Sequence, residues 1–168
     1  MKHIKTIHLI RHAKSSWKDE SLADIKRPLN KRGLRTAPVM AKVICQAGCD
    51  FQAVFCSPAV RAQATIQLMH QSLPELDFHW ETIADLYTFD SRDLLAWCRS
   101  MDDSLNEIVI VGHNPALTDL CEMLSGCEIK HIPTCGYVKL VSASPLKWHQ
   151  IVGKSFHMAA FLKPNQFM

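Results

Sequence analysis

Two short apolar runs, each followed closely by a histidine, limit the folds open to this chain. Residues 7–10 precede Arg11 and His12, and residues 108–111 precede His113 after a single glycine. Runs that are apolar on both faces are typical of buried strands in a parallel sheet. Both histidines are therefore expected just beyond a strand end, where the chain turns.

Further strands and helices alternate along the chain. Residues 53–56 and 78–81 are predicted strands. Ser57, Ser91 and Asn114 are predicted helix N-caps, because these residue types accept hydrogen bonds from the free N–H groups of a first turn. Ser57 and Asn114 are each followed by a proline, which is a preferred first helical residue.

The segment from Asn30 to Gly48 has apolar residues at helical spacing and Asn30 as its predicted N-cap. It is interrupted by Pro38, which lacks the N–H that a helix interior requires. Either one helix begins after Asn30 and bends at Pro38, or a helix starts anew at Thr36.

Alternating apolar and polar residues return near the end of the chain. Residues 137–141 and 148–151 predict an antiparallel pair at a sheet edge, and no structure is predicted for residues 156–168. The whole pattern indicates an α/β fold of one domain over residues 1–168. We expect a three-layer sandwich with a mainly parallel central sheet, helices on both faces and an antiparallel edge strand.

Composition and charge argue against several classes of protein. The 168 residues are 48% hydrophobic, and a net charge of +3 without any block of like charges does not predict nucleic-acid binding. No run approaches the ~20 apolar residues of a membrane span, and no secretory signal is evident, so a cytoplasmic protein is expected. The seven cysteines lack metal-ligand spacing, which predicts reduced thiols and neither a metal nor another cofactor.

The residues at the predicted strand ends have the chemistry of a phosphate site. Neutral imidazole is a nucleophile near neutral pH, so His12 is a candidate to attack phosphorus, and His113 is a candidate hydrogen-bond donor. The guanidinium groups of Arg11 and Arg61 suit phosphate oxygens. Arg61 falls in the first turn of the helix predicted after Ser57, where backbone N–H groups also favour an anion. A nearby aspartate or glutamate is the alternative to a phosphate as that anion.

Three further residues are candidate substrate-binding groups. Lys14 and Ser15 offer hydrogen-bond donors in the loop that follows His12. Arg27 lies 15 residues after His12 and either returns to the same pocket or is solvated surface. Neither alternative for Arg27 is favoured by its sequence context.

Four segments, in order along the chain, resemble motifs of the histidine phosphatase superfamily, also called the phosphoglycerate-mutase-like fold. Within it, the chain is similar to the SixA-type phosphohistidine phosphatases. Ala13 stands where much of the superfamily has glycine. The matching segments are residues 9–17 (LIRHAKSSW), 24–33 (DIKRPLNKRG), 57–62 (SPAVRA) and 111–114 (VGHN).

The resemblance implies that His12 carries the phosphoryl group in a covalent intermediate. It also implies that Arg11, Arg61 and His113 surround that group, with Arg27 as a further contact. The expected activity is that of a metal-independent phosphohydrolase acting on a phosphohistidine-bearing protein, for which a phosphotransfer domain of a signalling relay is the family-level candidate.

The source of a proton for the leaving group is not evident in the sequence. Many superfamily members use a glutamate; here the candidates are Glu81, Asp85 and Asp24, of which Asp85 is preferred. An alkoxide needs a strong acid nearby, whereas a phosphorylated imidazole accepts a proton on its own ring. A missing acid therefore favours phosphohistidine. There are two alternatives. The substrate is a small phosphorylated molecule, or the chain is a non-catalytic domain that binds phosphate or a phosphoprotein.

Overall fold

A six-stranded sheet runs through the structure, a computed structural model that describes residues 1–168. The strands are β1 (Thr6–Arg11), β2 (Val54–Cys56), β3 (Trp80–Thr82), β4 (Glu107–Gly112), β5 (Tyr137–Ser142) and β6 (Phe156–Leu162). Their order across the sheet is β3-β2-β4-β1-β5-β6. The first four strands in this order are parallel, whereas β5 and β6 are each antiparallel to their neighbour. The predicted mainly parallel sheet with an antiparallel edge is confirmed.

Four α-helices pack in pairs against the sheet, α1 with α2 and α3 with α4. Their bounds are α1 (Lys31–Gln46), α2 (Val60–Ser72), α3 (Ser91–Arg99) and α4 (Ala116–Ser125). Short 3-10 helices lie at Asp24–Lys26, Ala84–Leu86, Trp148–Gln150 and Pro164–Gln166. None of the helices combines the length and the apolar character needed to traverse a lipid bilayer.

Side chains of the two central strands alternate between two hydrophobic cores. Ile7 and Leu9 of β1 join the core that contains buried residues of α3 and α4. Ile10 of the same strand joins the core under α1 and α2. Successive strand residues point to opposite faces, so β1 is buried on both, as its apolar sequence predicts. The end of β1 that leads into His12 is thereby anchored from both sides.

Helix α1 is a single helix that begins after Asn30. The Asn30 side chain accepts a hydrogen bond from the backbone N–H of Gly33 at 2.9 Å, which confirms it as the N-cap. The helix continues through Pro38, so the alternative start at Thr36 is wrong. Thr36 lies inside the helix, where its hydroxyl donates to the carbonyl of Arg32 at 2.6 Å.

The predicted N-cap at Ser57 is wrong. Helix α2 begins only at Val60, after Ala59, and has no side-chain cap. The Ser57 hydroxyl accepts a hydrogen bond from the N–H of Ala59 at 3.2 Å, in the turn before the helix. Ser57 does not cap the helix because its side chain also hydrogen-bonds to His113 at the sheet edge.

The other two predicted caps are each displaced by one residue. Helix α3 starts at Ser91, but its cap is Asp90, whose carboxylate accepts from the N–H of Arg92 at 2.8 Å. Asn114 lies one residue before the N-cap position of α4, yet its side chain still accepts from the N–H of Thr118 at 3.2 Å. Carboxylate and carboxamide oxygens satisfy free first-turn N–H groups from either position.

The antiparallel edge pairs β5 with β6, and the predicted pairing with residues 148–151 is wrong. Trp148–Gln150 forms a 3-10 helix, and the partner strand comes from the tail, for which no structure was predicted. Trp148 is fully buried, and its indole N–H donates to the carbonyl of Leu105 at 2.8 Å. Its apolar character thus reflects burial in the core rather than a strand face.

Candidate active site

Three parallel strands end side by side at one edge of the sheet, which is where ligands bind in open α/β folds. The residues just past the ends of β1, β4 and β2 are His12, His113 and Ser57. A cavity of about 240 Å³ opens at this edge. Its lining includes all seven of the predicted catalytic and substrate-binding residues other than the acid. The twelve lining residues are Arg11, His12, Lys14, Ser15, Trp17, Asp24, Arg27, Arg61, Phe89, His113, Asn114 and Thr134.

The His12 ring is held with one nitrogen unprotonated. Its Nδ1 lies 2.8 Å from the carbonyl oxygen of Ala13, which only accepts hydrogen bonds, so Nδ1 carries the proton. The other ring nitrogen, Nε2, accepts a hydrogen bond from Nε of Arg61 at 3.3 Å. Burial, together with the nearby His113 and arginines, lowers the pKa of His12 to about 3. Near neutral pH the ring is therefore neutral, and the lone pair of Nε2 faces Arg61 in the cavity lining.

The loop that carries His12 is tied to helix α2. The backbone N–H of Ala13 donates to the hydroxyl of Thr65 at 2.9 Å, and that hydroxyl donates to the carbonyl of Arg61 at 2.7 Å. Ala13 and Thr65 are both fully buried. These bonds hold the ring of His12 and the guanidinium of Arg61 in a fixed relation.

Arg61 links both histidines to a carboxylate. The residue is second in α2 and only 3% exposed, and besides His12 it lies 3.4 Å from Nδ1 of His113. Its NH1 and NH2 groups donate to the carbonyl and to the Oδ2 atom of Asp24, at 2.7 Å and 2.9 Å. The alternative prediction of a carboxylate beside Arg61 is thus the arrangement seen.

His113 is buried between Arg61 and Ser57. Its Nε2 lies 2.7 Å from the hydroxyl oxygen of Ser57. Because a guanidinium only donates, Nδ1 of His113 is the acceptor from Arg61 and Nε2 donates to Ser57. Burial and the charge of Arg61 lower the pKa of His113 to about 4, so this ring is also neutral. The centroids of the His12 and His113 rings are 5.2 Å apart.

Arg27 returns to the pocket, which decides between the two alternatives for this residue. It is buried, and its NH2 donates to the hydroxyl of Ser15 at 2.6 Å while its Nε donates to the carbonyl of Ser16 at 3.1 Å. The guanidinium carbon lies 3.2 Å from the ring centroid of Trp17, in a cation–π arrangement. Arg27 therefore supports the loop after His12 as well as lining the cavity.

Arg11 contributes an unsatisfied donor. Its NH1 donates to the carbonyl of Ile132 at 3.0 Å, but its buried Nε has no hydrogen-bond partner. An unpaired buried donor is costly, and native structures usually leave one only where a ligand, ion or water completes it. The Arg11 side chain lines the cavity, so its guanidinium is among the groups that would meet an anion there.

Asp24 is the carboxylate that lines this cavity. Its Oδ2 accepts from the hydroxyl of Tyr87 at 2.6 Å as well as from Arg61, and its Oδ1 accepts from Arg27 at 3.2 Å. Partial burial raises the pKa of Asp24, but hydrogen bonds from Tyr87 and Arg61 outweigh that effect and lower the pKa to about 2. A carboxylate held in this way is a poor proton donor near neutral pH.

The structure does not bring the preferred proton donor to the pocket. Asp85 is exposed and lines a different cavity, which it shares with Asp93 and Ser100. Glu81 is exposed on β3 and lies outside the lining of the His12 cavity. Of the three candidate acids, only Asp24 lines the cavity that contains His12 and His113.

Several pocket residues are absent from the sequence-based set. Trp17 and Phe89 form an aromatic rim, with 72% and 46% of their surface exposed. Phe89 packs against His113 with ring centroids 5.5 Å apart, and Tyr87 packs against the same ring at 5.4 Å. Trp17 is the last residue of the first matching segment and was within reach of sequence reasoning. Phe89 carries no comparable local signal, because only the fold brings it beside His113.

The cysteines lie outside this cavity. All seven are free and five are buried. Burial raises the pKa of the Cys135 thiol to about 12, so it stays protonated near neutral pH. No group of three or more His, Cys, Asp or Glu side chains is placed to hold a metal ion.

Comparison with known proteins gives one family and a consistent fold. A family profile described as "Histidine phosphatase superfamily (branch 1)" matches residues 7–87. An uncharacterized chloroplastic protein of Arabidopsis thaliana is 30% identical over 154 residues, covering 84% of this chain and 68% of the relative. A structure of a candidate phosphohistidine phosphatase SixA from Nakamurella multipartitia superposes with a TM-score of 0.79 at 18% identity, covering 96% and 97% of the two chains. The protein histidine phosphatase SixA in complex with tungstate gives a TM-score of 0.76 at 16% identity, covering 97% of this chain and 99% of that one.

Proposed function

The chain belongs to the histidine phosphatase superfamily and is a phosphatase, and on that premise we propose that it removes the phosphoryl group from phosphohistidine in another protein. His12 is the proposed nucleophile, and Arg11, Arg61 and His113 are the proposed phosphoryl-binding groups. The one N–H of neutral His113 donates to Ser57, so His113 would bind the phosphoryl group by exchanging Ser57 for a phosphoryl oxygen. Arg27, Lys14 and Ser15 complete the binding site. The observation that carries the choice of substrate is that the carboxylate of Asp24 accepts hydrogen bonds from Tyr87, Arg61 and Arg27, which hold its pKa low and make it a poor proton donor.

In the first step, the lone pair on Nε2 of His12 forms a bond to phosphorus. The P–N bond of the substrate breaks, and its electron pair returns to the substrate imidazole. If the other nitrogen of that imidazole is already protonated, the leaving group departs as a neutral ring. His12 becomes a phosphorylated imidazolium, with its Nδ1 proton still held by the carbonyl of Ala13. One imidazole replaces another, so the step needs no separate acid.

In the second step, water attacks phosphorus and the bond to Nε2 of His12 breaks. The electron pair returns to Nε2, both protons of the water stay on the released phosphate, and His12 is again neutral. The low pKa of His12 supports this cycle, because the ring regains its lone pair rather than a proton. Both steps are in-line displacements, which depend mainly on positioning and electrostatic stabilisation.

The cations around His12 are suited to a phosphoryl group. Arg61 already points Nε at the attacking nitrogen, at 3.3 Å, and a buried guanidinium stabilises charge more strongly than an exposed one. The unpaired Nε of Arg11 supplies a donor that an oxyanion would satisfy. SixA has been solved with tungstate, a tetrahedral oxyanion, which supports oxyanion binding by this fold. The charges of Arg11 and Arg61 are proposed to serve in place of a metal ion.

The pocket mouth also supports a heterocyclic leaving group. Trp17 and Phe89 are exposed aromatic residues on the rim of an otherwise polar cavity. An imidazole that leaves from phosphorus would pass these rings, and aromatic pairs of this kind add roughly 1 kcal/mol beyond the area that they bury. The rim therefore favours phosphohistidine over an aliphatic phosphate ester.

The test is phosphate release from a protein phosphorylated on histidine, measured with EDTA present. Wild-type protein is expected to release phosphate, and His12→Ala is expected to lose turnover completely while remaining folded. Retained activity in His12→Ala would sink the nucleophile assignment. Wild-type activity confined to small phosphomonoesters would replace the proposed substrate, and loss of activity with EDTA would remove metal independence.

A further inference from the structure

A second, strongly basic cavity adjoins the His12 cavity. Its volume is about 310 Å³, and it is formed by the loop after β1, the first turns of α1, the loop before β5 and the C-terminal segment. Four cationic residues line it, and no aspartate or glutamate does. The ten lining residues are Lys14, Arg32, Thr36, Lys130, His131, Pro133, Thr134, Lys163, Pro164 and Asn165.

The charge in this cavity is uncompensated. None of Lys14, Arg32, Lys130 and Lys163 forms an ion pair, and no acidic residue lines the cavity. The Lys163 ammonium lies over the ring of Phe161, at 5.0 Å from its centroid. The whole chain has a net charge of only +3, so four unpaired cations around one cavity are a local concentration. Like charges placed together repel one another, and an anion between them relieves that repulsion.

The two cavities are joined through shared residues. Lys14 and Thr134 line both of them. The position of Lys14 is set by a tight backbone contact, because a Cβ atom added at Gly33 would lie 2.3 Å from the carbonyl oxygen of Lys14. That contact brings the loop after His12 against the first turn of α1, beside Arg32. A substrate whose phosphoryl group occupies the His12 cavity can therefore place a second anionic group in the adjoining basic cavity.

We propose that the basic cavity is a second anion subsite, which binds acidic side chains next to the phosphohistidine of the protein substrate. This inference rests on the proposed function. Carboxylates suit the lining because lysine is a point charge on a flexible stem, which imposes no fixed planar geometry on its partner. Lys130 and Lys163 are exposed and outside the His12 cavity, so they recognise the substrate without taking part in chemistry.

The experiment compares two phosphohistidine peptides that differ only in having glutamate or glutamine beside the phosphohistidine. Phosphoramidate, which has the P–N bond but no flanking residues, is the reference substrate. The double variant Lys130→Ala with Lys163→Ala is compared with Lys42→Ala with Lys154→Ala, which removes two exposed lysines from elsewhere. We expect kcat/KM of wild type to favour the glutamate peptide by about tenfold, with the preference shrinking at high salt.

The cavity variant is expected to lose that preference while keeping wild-type turnover of phosphoramidate, and the control variant is expected to keep both. Wild-type activity on all three substrates without preference between the peptides would overturn the subsite alone. No activity of wild type on any P–N substrate would overturn the proposed function and the subsite with it. A preference for a sugar bisphosphate over the monophosphate, without one between the peptides, would assign the cavity to a second phosphate and overturn the protein assignment.

Discussion

Nε of Arg61 donates a hydrogen bond to Nε2 of His12 across 3.3 Å, so the candidate nucleophile and its nearest cation already contact each other through the reacting atom. The same guanidinium reaches His113 and Asp24. In the proposed mechanism an entering phosphoryl group takes its place between Arg61 and His12, and the planar fork of Arg61 then binds the equatorial oxygens. We therefore expect substitution of Arg61 to reduce activity more than substitution of any other site residue except His12.

Arg61→Lys is expected to reduce kcat for phosphoramidate by about 100- to 1,000-fold, because an ammonium cannot replace a fork of fixed donors in a buried site. Arg92→Lys is the matched control, since Arg92 also pairs with an aspartate, Asp90 at 2.8 Å, but is exposed on α3. Its kcat should not change. Steady-state phosphate release from both variants measures the difference, and comparable losses in the two would contradict the role of Arg61.

The neutral histidines predict a stability that falls as the pH is lowered. In the unfolded chain a histidine has a pKa of ~6.5, whereas in the fold the pKa values of His12 and His113 are lowered to about 3 and about 4. Below pH ~6.5 the unfolded chain binds protons that the native protein does not, so the free energy of unfolding decreases by up to about 1.4 kcal/mol per pH unit for each histidine. His12→Asn should remove one histidine's share of this slope.

Urea unfolding in phosphate-free buffer between pH 7 and pH 5 measures that slope. Bound phosphate would favour protonated rings and is therefore left out. His79→Asn, which replaces an exposed histidine, is the control and should keep the wild-type slope. An identical pH dependence in His12→Asn and wild type would show that folding does not lower the pKa of His12.

Asp24→Asn tests whether Asp24 gives a proton or holds Arg61 in place. We expect a loss of roughly tenfold in kcat that is the same for p-nitrophenyl phosphate and for an alkyl phosphate, because a loosened Arg61 affects both alike. A general acid would matter far more for the alkyl phosphate, whose leaving group needs a proton. A selective loss on the alkyl phosphate would therefore make Asp24 the acid and weaken the case for phosphohistidine.

Trp17→Ala and Phe89→Ala test the aromatic rim. Both should raise KM for a phosphohistidine peptide by about five- to tenfold, which corresponds to the loss of one aromatic contact. Turnover of phosphoramidate, which has no ring, should be unchanged. If the two substrates lose activity equally, the rim acts by supporting Arg27 or His113, against which these rings pack.

Gly33→Ala is expected to disturb the loop after His12. Its Cβ would lie 2.3 Å from the backbone carbonyl of Lys14, so the loop must move away from α1, at a cost of roughly 1–3 kcal/mol in unfolding free energy. Activity should fall as well, since the same loop carries His12. Gly153→Ala, where the nearest atom would be 3.6 Å away, is the control. Equal stability of the two variants by thermal unfolding would contradict this account.

Local sequence is a good guide where one element alone decides the structure. The apolar runs of β1 and β4 are buried on both faces, so their strand state and their shared edge follow from hydrophobic pattern and α/β architecture. Arg61 is likewise placed by the start of a helix, although that helix begins later than the Ser57 cap signal predicts. His12, His113 and Arg61 could all be assigned to one pocket for this reason.

Local sequence is a poor guide where distant elements compete for the same residue. Ser57 has the residue type of a cap, but the insertion of β4 between β1 and β2 brings His113 within 2.7 Å of its hydroxyl. Asp24 becomes the partner of Arg61 only when its loop folds across the sheet edge. Residues 148–151 alternate like a strand, yet the burial of Trp148 in the core decides their conformation. Phe89 is brought to the rim in the same way.

Strand β1 pairs with β4 on one side and with β5 on the other, and both cores cover it. Its amide hydrogens should exchange with solvent only when the whole molecule unfolds, whereas those of the exposed loop from residue 18 to residue 24 should exchange through local opening. The candidate nucleophile would then stay in place while the exposed segment between Trp17 and Asp24, itself held by Arg61 and Tyr87, opens and recloses. On the proposed function, a fixed reacting group beside a locally opening loop would let a bulky phosphoprotein bind and leave without any rearrangement at His12.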